Sequence, residues 1–121
     1  MKPGQTLVVL YSWKPEEVRA FYELLGLKFR KEKHGEGPEH FACDMGGVMM
    51  EIRQASGDPP KPFNRGTLQP LQLGIVLKAN QELIALVSEG DIRAFRVGSI
   101  DLRDRIITQD PEGRRVELEI I

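Results

Sequence analysis

Apolar and polar positions change period several times along the chain. TLVVLY, residues 6 to 11, is β-branched and apolar and predicts a strand. In SWKPEEVRAFYELLGL, Val18, Phe21, Tyr22 and Leu25 recur at i, i+3, i+4 and i+7, the spacing of one helix face. Ser12 and Pro15 supply start signals, Glu16 and Glu17 suit the first turn, and Gly26 closes the helix as a left-handed cap. LKFRKEK, a polar turn HGEGPE, HFACDM, a tight turn at Gly46 and Gly47, and VMMEIRQ follow. The pattern predicts one β-α-β-β-β unit.

The order then repeats. LQLGIVLK predicts a strand, and Asn80 caps QELIALVSEG, where Leu83, Ile84, Leu86 and Val87 form an apolar stripe ended by Gly90. Short strands follow around IRAFRV, SIDLRDRIITQ and RRVELEII. Asp44, Gly47 and Glu51 in DMGGVMMEI return as Asp110, Gly113 and Glu117 in DPEGRRVEL, and Gly26 returns as Gly90. Landmarks of several kinds at nearly one spacing identify an internal repeat. Between the copies, QASGDPPKPFNRGTLQP holds four of the eight prolines and reads as a linker. The expected organisation is one domain, with a module over 1–54, a linker over 55–70 and a module over 71–121. Its class is α+β, with two tandem βαβββ modules forming a cupped, partly open sheet and the helices outside.

Strand alternation assigns the faces. In RRVELEI, Val116, Leu118 and Ile120 pack, while Arg115, Glu117 and Glu119 point elsewhere. The repeat offset puts Met50 and Ile52 on the packed face and Met49 with Glu51 on the other. Leu73, Ile75 and Leu77 pack, leaving Gln72, Gly74 and Val76 on the glutamate side. Pairing of the two halves brings Glu51, Gln72 and Glu117 into one groove. Two carboxylates about 5 Å apart in an effective dielectric of about 20 repel by roughly 3 kcal/mol. The remedies are a divalent cation, an arginine such as Arg115 or a cationic ligand, or a shared proton; with solvated glutamates that never meet, no remedy is needed.

Composition narrows the function classes. With 17 basic and 18 acidic residues the net charge is −1, which gives no polyelectrolyte argument for nucleic acid or an anionic membrane. No apolar stretch reaches the roughly 20 residues that span a bilayer, and the first apolar run is too short for a secretory leader, so a cytoplasmic protein is expected. A single cysteine, Cys43, permits no intramolecular disulfide and reads as a small buried hydrophobe. Trp13 reads as a packing residue at the start of the helix.

FYELLGLKF with GGVMMEI, and LGIVLK with DPEGRRVELEI, resemble the vicinal oxygen chelate superfamily of glyoxalase, bleomycin-resistance and extradiol-dioxygenase proteins. The resemblance covers the chain apart from the linker. It implies paired βαβββ modules, a homodimer, and a small-molecule site with metal ligands on the first and last strands of each module. Carried over, those positions fall on Leu7, Glu51, Gln72 and Glu117. Leu7 has no donor atom, so the set is one ligand short. The remaining oxygen donors fit no cofactor, or a weakly bound divalent metal such as Mg, Mn, Ni or Zn.

The two histidines, His34 and His40, are placed in the hairpin between the second and third strands and read as exposed, which argues against the two-histidine, one-carboxylate iron site of an extradiol dioxygenase. Met49 offers an adaptable apolar wall for a ligand. Arg103, Arg105 and Arg115 form either a solvated face or a clamp for an anionic ligand. Three functions stay open. One is a metal-free small-molecule binder of the bleomycin-resistance type. Another is a metal-dependent lyase or isomerase in which Glu51 and Glu117 act as catalytic residues. The third is a dimerising structural or regulatory domain.

Overall fold

The computed structural model describes residues 6–58, 72–77, 94–98 and 104–120. The chain divides into two compact units, Met1–Lys61 and Pro62–Ile121. The first contains β1 (Thr6–Ser12), α1 (Pro15–Leu24), β2 (Arg30–Glu32), β3 (His40–Asp44) and β4 (Val48–Gln54). The second contains β5 (Gln72–Leu77), β6 (Ala94–Gly98), β7 (Asp104–Gln109) and β8 (Arg115–Ile120). The helix expected over 80–90 lies outside the described residues, as does most of the expected linker.

Each unit carries one open four-stranded sheet, in the orders β1-β4-β3-β2 and β5-β8-β7-β6. First and last strands run parallel, and the others are antiparallel. The class is therefore α+β. The repeat extends to register: Glu51 lies between Val9 and Ala42, and Glu117 lies between Gly74 and Ile107. Leu7 stands two residues before the partner of Glu51, and Gln72 two before the partner of Glu117.

Local chemistry sets the element ends. Pro15 begins α1, where its missing N–H costs no helical hydrogen bond, while the Ser12 hydroxyl accepts from the Lys14 amide at 3.0 Å. At the other end Gly26 has φ 99° and donates to the Glu23 carbonyl, and Leu27 donates to the Tyr22 carbonyl. That pair is a Schellman closure, which needs a left-handed residue at the glycine. The β3–β4 hairpin turns through Gly46 and Gly47, both at positive φ, and the Asp44 carboxylate accepts from the Gly46 amide at 3.0 Å.

One face of the first sheet packs under α1, which lies on β1 and β4. Leu10, Met50 and Ile52 of that face and Val18, Tyr22 and Leu25 of the helix stripe are all buried. Each such side chain stabilises the fold by about 1.5–3 kcal/mol through lost apolar exposure. Arg19 lies 5.0 Å from the Phe41 ring centroid and bonds Glu16 and Glu23 along the helix, which raise its pKa. In the second unit Ile75, Val116 and Leu118 are buried on the face expected to pack.

Cys43 belongs to this core. Burial pushes its thiol pKa up, so little of it is thiolate at neutral pH. Iodoacetamide is expected to leave the native protein unmodified and to alkylate Cys43 fully in denaturant, as read by intact mass; rapid native alkylation would contradict its place in the core.

Candidate functional site

The face of the first sheet opposite α1 carries the chemistry. Alternation puts Leu7, Val9 and Tyr11 of β1 on it, with Met49, Glu51 and Arg53 of β4, His40 and Ala42 of β3, and Arg30 and Glu32 of β2. Glu32 stands directly opposite His40. Glu51 stands opposite Ala42, next along that face of β3 from His40.

Four side chains of this region converge. Glu32, His34, His40 and Glu51 each offer one donor atom, and the four atoms lie within 4.8 Å of one another. His40 Nε2 is 3.5 Å from Glu32 Oε2 and 3.5 Å from Glu51 Oε2, and His34 Nε2 is 3.4 Å from Glu32 Oε2. The two imidazoles stack with centroids 5.1 Å apart. Both carboxylates turn their other oxygen to an arginine: Arg30 Nε lies 2.6 Å from Glu32 Oε1, and Arg53 Nε and Nη2 each lie 2.9 Å from Glu51 Oε1. The Arg30 hydrogen bond holds the Glu32 carboxyl below the usual glutamate range.

This arrangement corrects the sequence reading of the histidines. His40 is not an exposed hairpin residue: it is the first residue of β3 and only 3% exposed. His34 does follow β2 in the turn and is exposed, yet its ring reaches back to Glu32 and His40. The signal was present in HFACD, whose period of two puts His40 and Ala42 on one face and Phe41 with Cys43 on the other. Glu32 is one of several charges in LKFRKEK, and nothing in the sequence sets it apart from the others.

The other expected site residues fall as follows. Met49 is half-buried on the face of Glu51. Glu117 and Arg115 are half-buried on one face of β8. Gln72 is paired with Arg115 and Arg105 with Glu119 in register, but their side chains lie outside the described set. Arg103 is outside the described residues altogether. In register, the second-unit position matching His40 is Arg105 and that matching Glu32 is Val97, so the histidine cluster belongs to the first unit alone. Trp13 donates from Nε1 to the Gly57 carbonyl at 2.9 Å and so ties the segment after β4 to the start of α1.

Of the four large hydrophobics that are exposed among the described residues, three lie on the faces that bear Glu51 or Glu117. They are Leu7 at 42%, Tyr11 at 59% and Val76 at 58%. A shallow depression lined by residues that include Pro15, Phe41, Ile52 and Gln54 opens on the α1 side instead, and touches only His40 of the cluster.

No protein-family model matches the sequence, and no curated protein does. Solved structures do match over nearly the full length. A protein assigned as a glyoxalase from Bacillus halodurans is 17% identical with a TM-score of 0.69, covering 99% of this chain and 97% of that one. Lactoylglutathione lyase from Agrobacterium tumefaciens is 18% identical with a TM-score of 0.61, covering 98% and 94%. TioX from Micromonospora sp. ML1 is 19% identical with a TM-score of 0.62, covering 96% and 97%. At these identities the likeness is one of fold.

Proposed function

For a chain with the vicinal oxygen chelate fold, we propose a small-molecule-binding protein of the glyoxalase and bleomycin-resistance type, in which the carboxylate-bearing sheet faces receive the ligand. The exposure of Leu7 and Tyr11 on the face of the buried Glu51 carries the reading, because large apolar side chains left open beside buried charge are the marks of a ligand surface, and Val76 is exposed on the corresponding face of the second sheet. Met49 adds an adaptable wall, and Gln72, Arg103, Arg105 and Arg115 orient a polar or anionic group. Binding at this surface requires no cation at the fold's four strand positions.

The residues present do not fit a metal at those four positions. Leu7 supplies no donor. Glu51 gives Oε1 to Arg53 and turns Oε2 toward His40 on the β3 side, away from the β1 strand that carries Leu7. The rival is a metal-dependent lyase or isomerase holding its cation with Glu51, Gln72 and Glu117. It is favoured by the matching register of the two glutamates.

An anionic apolar dye, anilinonaphthalene sulfonate, separates the two. Its fluorescence is expected to rise on the native protein in the presence of EDTA, and the double variant Leu7→Ser, Tyr11→Ser should weaken binding about tenfold while the melting temperature holds. Absence of native binding, or binding unmoved in that variant, refutes the proposal. Turnover of a hemithioacetal by metal-loaded protein, lost in Glu117→Gln, establishes the lyase instead.

A further inference from the structure

We propose that Glu32, His34, His40 and Glu51 form a divalent-cation site on the first sheet, distinct from the four strand positions of the fold and sharing only Glu51 with them. The argument begins with His40. Its ring is buried, and neither nitrogen has a hydrogen-bond partner among the described residues, although Nε2 faces two carboxylate oxygens. A buried polar group left without a hydrogen bond costs about 1–3 kcal/mol, so an imidazole is held here against that cost.

The donor spacing fits a cation. A tetrahedral shell with ligands about 2.0–2.1 Å from zinc sets its donor atoms roughly 3.3 Å apart. Three donor pairs of the cluster stand at 3.4, 3.5 and 3.5 Å. The carboxylate geometry agrees. With Oε1 of Glu32 held by Arg30 and Oε1 of Glu51 held by Arg53, each glutamate offers a single oriented Oε2. Ligating carboxylates are characteristically fixed in this way by a hydrogen bond from outside the coordination shell.

The donor set selects the ion. Two imidazole nitrogens and two carboxylate oxygens suit Zn²⁺ and its borderline neighbours Co²⁺ and Ni²⁺, whereas Mg²⁺ and Ca²⁺ prefer all-oxygen shells. The exposed ring of His34 is the side open to solvent, and the buried ring of His40 is the fixed wall.

Tag-free protein stripped with a chelator and titrated with ZnCl₂ by calorimetry is expected to bind one ion per chain. Co²⁺ substitution should give the intense visible absorption of a tetrahedral centre. Groups that merely orient ligands are worth about 10–100-fold in metal affinity, so His34→Ala and Glu32→Gln should each weaken Zn²⁺ by at least about 100-fold. His34 is exposed, so its removal leaves the fold intact. Glu117→Gln, in β8 of the second unit, should leave the Zn²⁺ affinity unchanged. No stoichiometric Zn²⁺ uptake, or affinity that falls in Glu117→Gln and not in His34→Ala, overturns the proposal. Dye binding by the chain is read separately and survives either result.

Discussion

Tyr22→Ala is expected to destabilise the protein by about 3–5 kcal/mol, the range for deleting a fully buried aromatic ring. Tyr22 is completely inaccessible, sits on the inner stripe of α1, and meets Phe21 edge-on at 5.1 Å. Its backbone carbonyl also accepts from Leu27 in the cap that ends the helix. Val18 and Leu25, its neighbours on that helix face, are themselves buried and held by packing, so truncation would leave a cavity between α1 and the sheet. Urea unfolding followed by far-UV circular dichroism measures the loss. Leu24→Ala, on the outer face of the same helix, should change stability by no more than about 0.5 kcal/mol. Equal effects for the two variants would mean that α1 is not seated on the sheet as described.

Asp110→Ala should cost about 3 kcal/mol, and the corresponding Asp44→Ala about 1 kcal/mol or less. Both aspartates open the hairpin before the last strand of their unit, but their surroundings differ. Asp44 is exposed and accepts one backbone hydrogen bond. Asp110 is 4% exposed: Oδ1 accepts from the amides of Glu112 and Arg114 at 2.9 and 3.0 Å, and Oδ2 takes the Arg114 guanidinium at 3.0 Å. Removing it takes a bound carboxylate from a nearly buried guanidinium, whose Nη1 also lies 3.6 Å from Glu112 Oε1. Breaking a buried ion pair costs about 3–5 kcal/mol, and Glu112 keeps the expected loss at the lower end. Asp110→Asn retains the Oδ1 acceptor and should fall between. Two equal alanine effects would show that the repeat in sequence is also a repeat in energetics, against the burial difference.

Much of the fold was legible because it depends on local chemistry. The helix face, Pro15 at its start, Gly26 at its end and the paired glycines of the β3–β4 turn each follow from backbone geometry that a residue carries with it. VMMEIRQ is the observed β4, residue for residue. Strand LKFRKEK was overextended, since only Arg30–Glu32 pairs with β3. Edge strands end where a partner ends, and that is not written locally. The Asp-x-x-Gly repeat correctly marked two hairpins, while the burial of Asp110 and the exposure of Asp44 were not readable from their identical spacing.

The repeat, the α+β class, the alternation that separates packed from carboxylate-bearing faces and the lack of a donor at Leu7 are all legible along the chain. These rest on periodicity, turn chemistry and residue identity, which act over a few positions. The burial of His40 and the gathering of Glu32, His34 and Glu51 around it come from the folded sheet. The cluster draws together residues from Glu32 to Glu51 across three strands, and strand order and register are set by the packing of the whole sheet under α1. A histidine at the head of a strand is solvated or enclosed according to what pairs on either side of it, and that is a property of the assembled sheet.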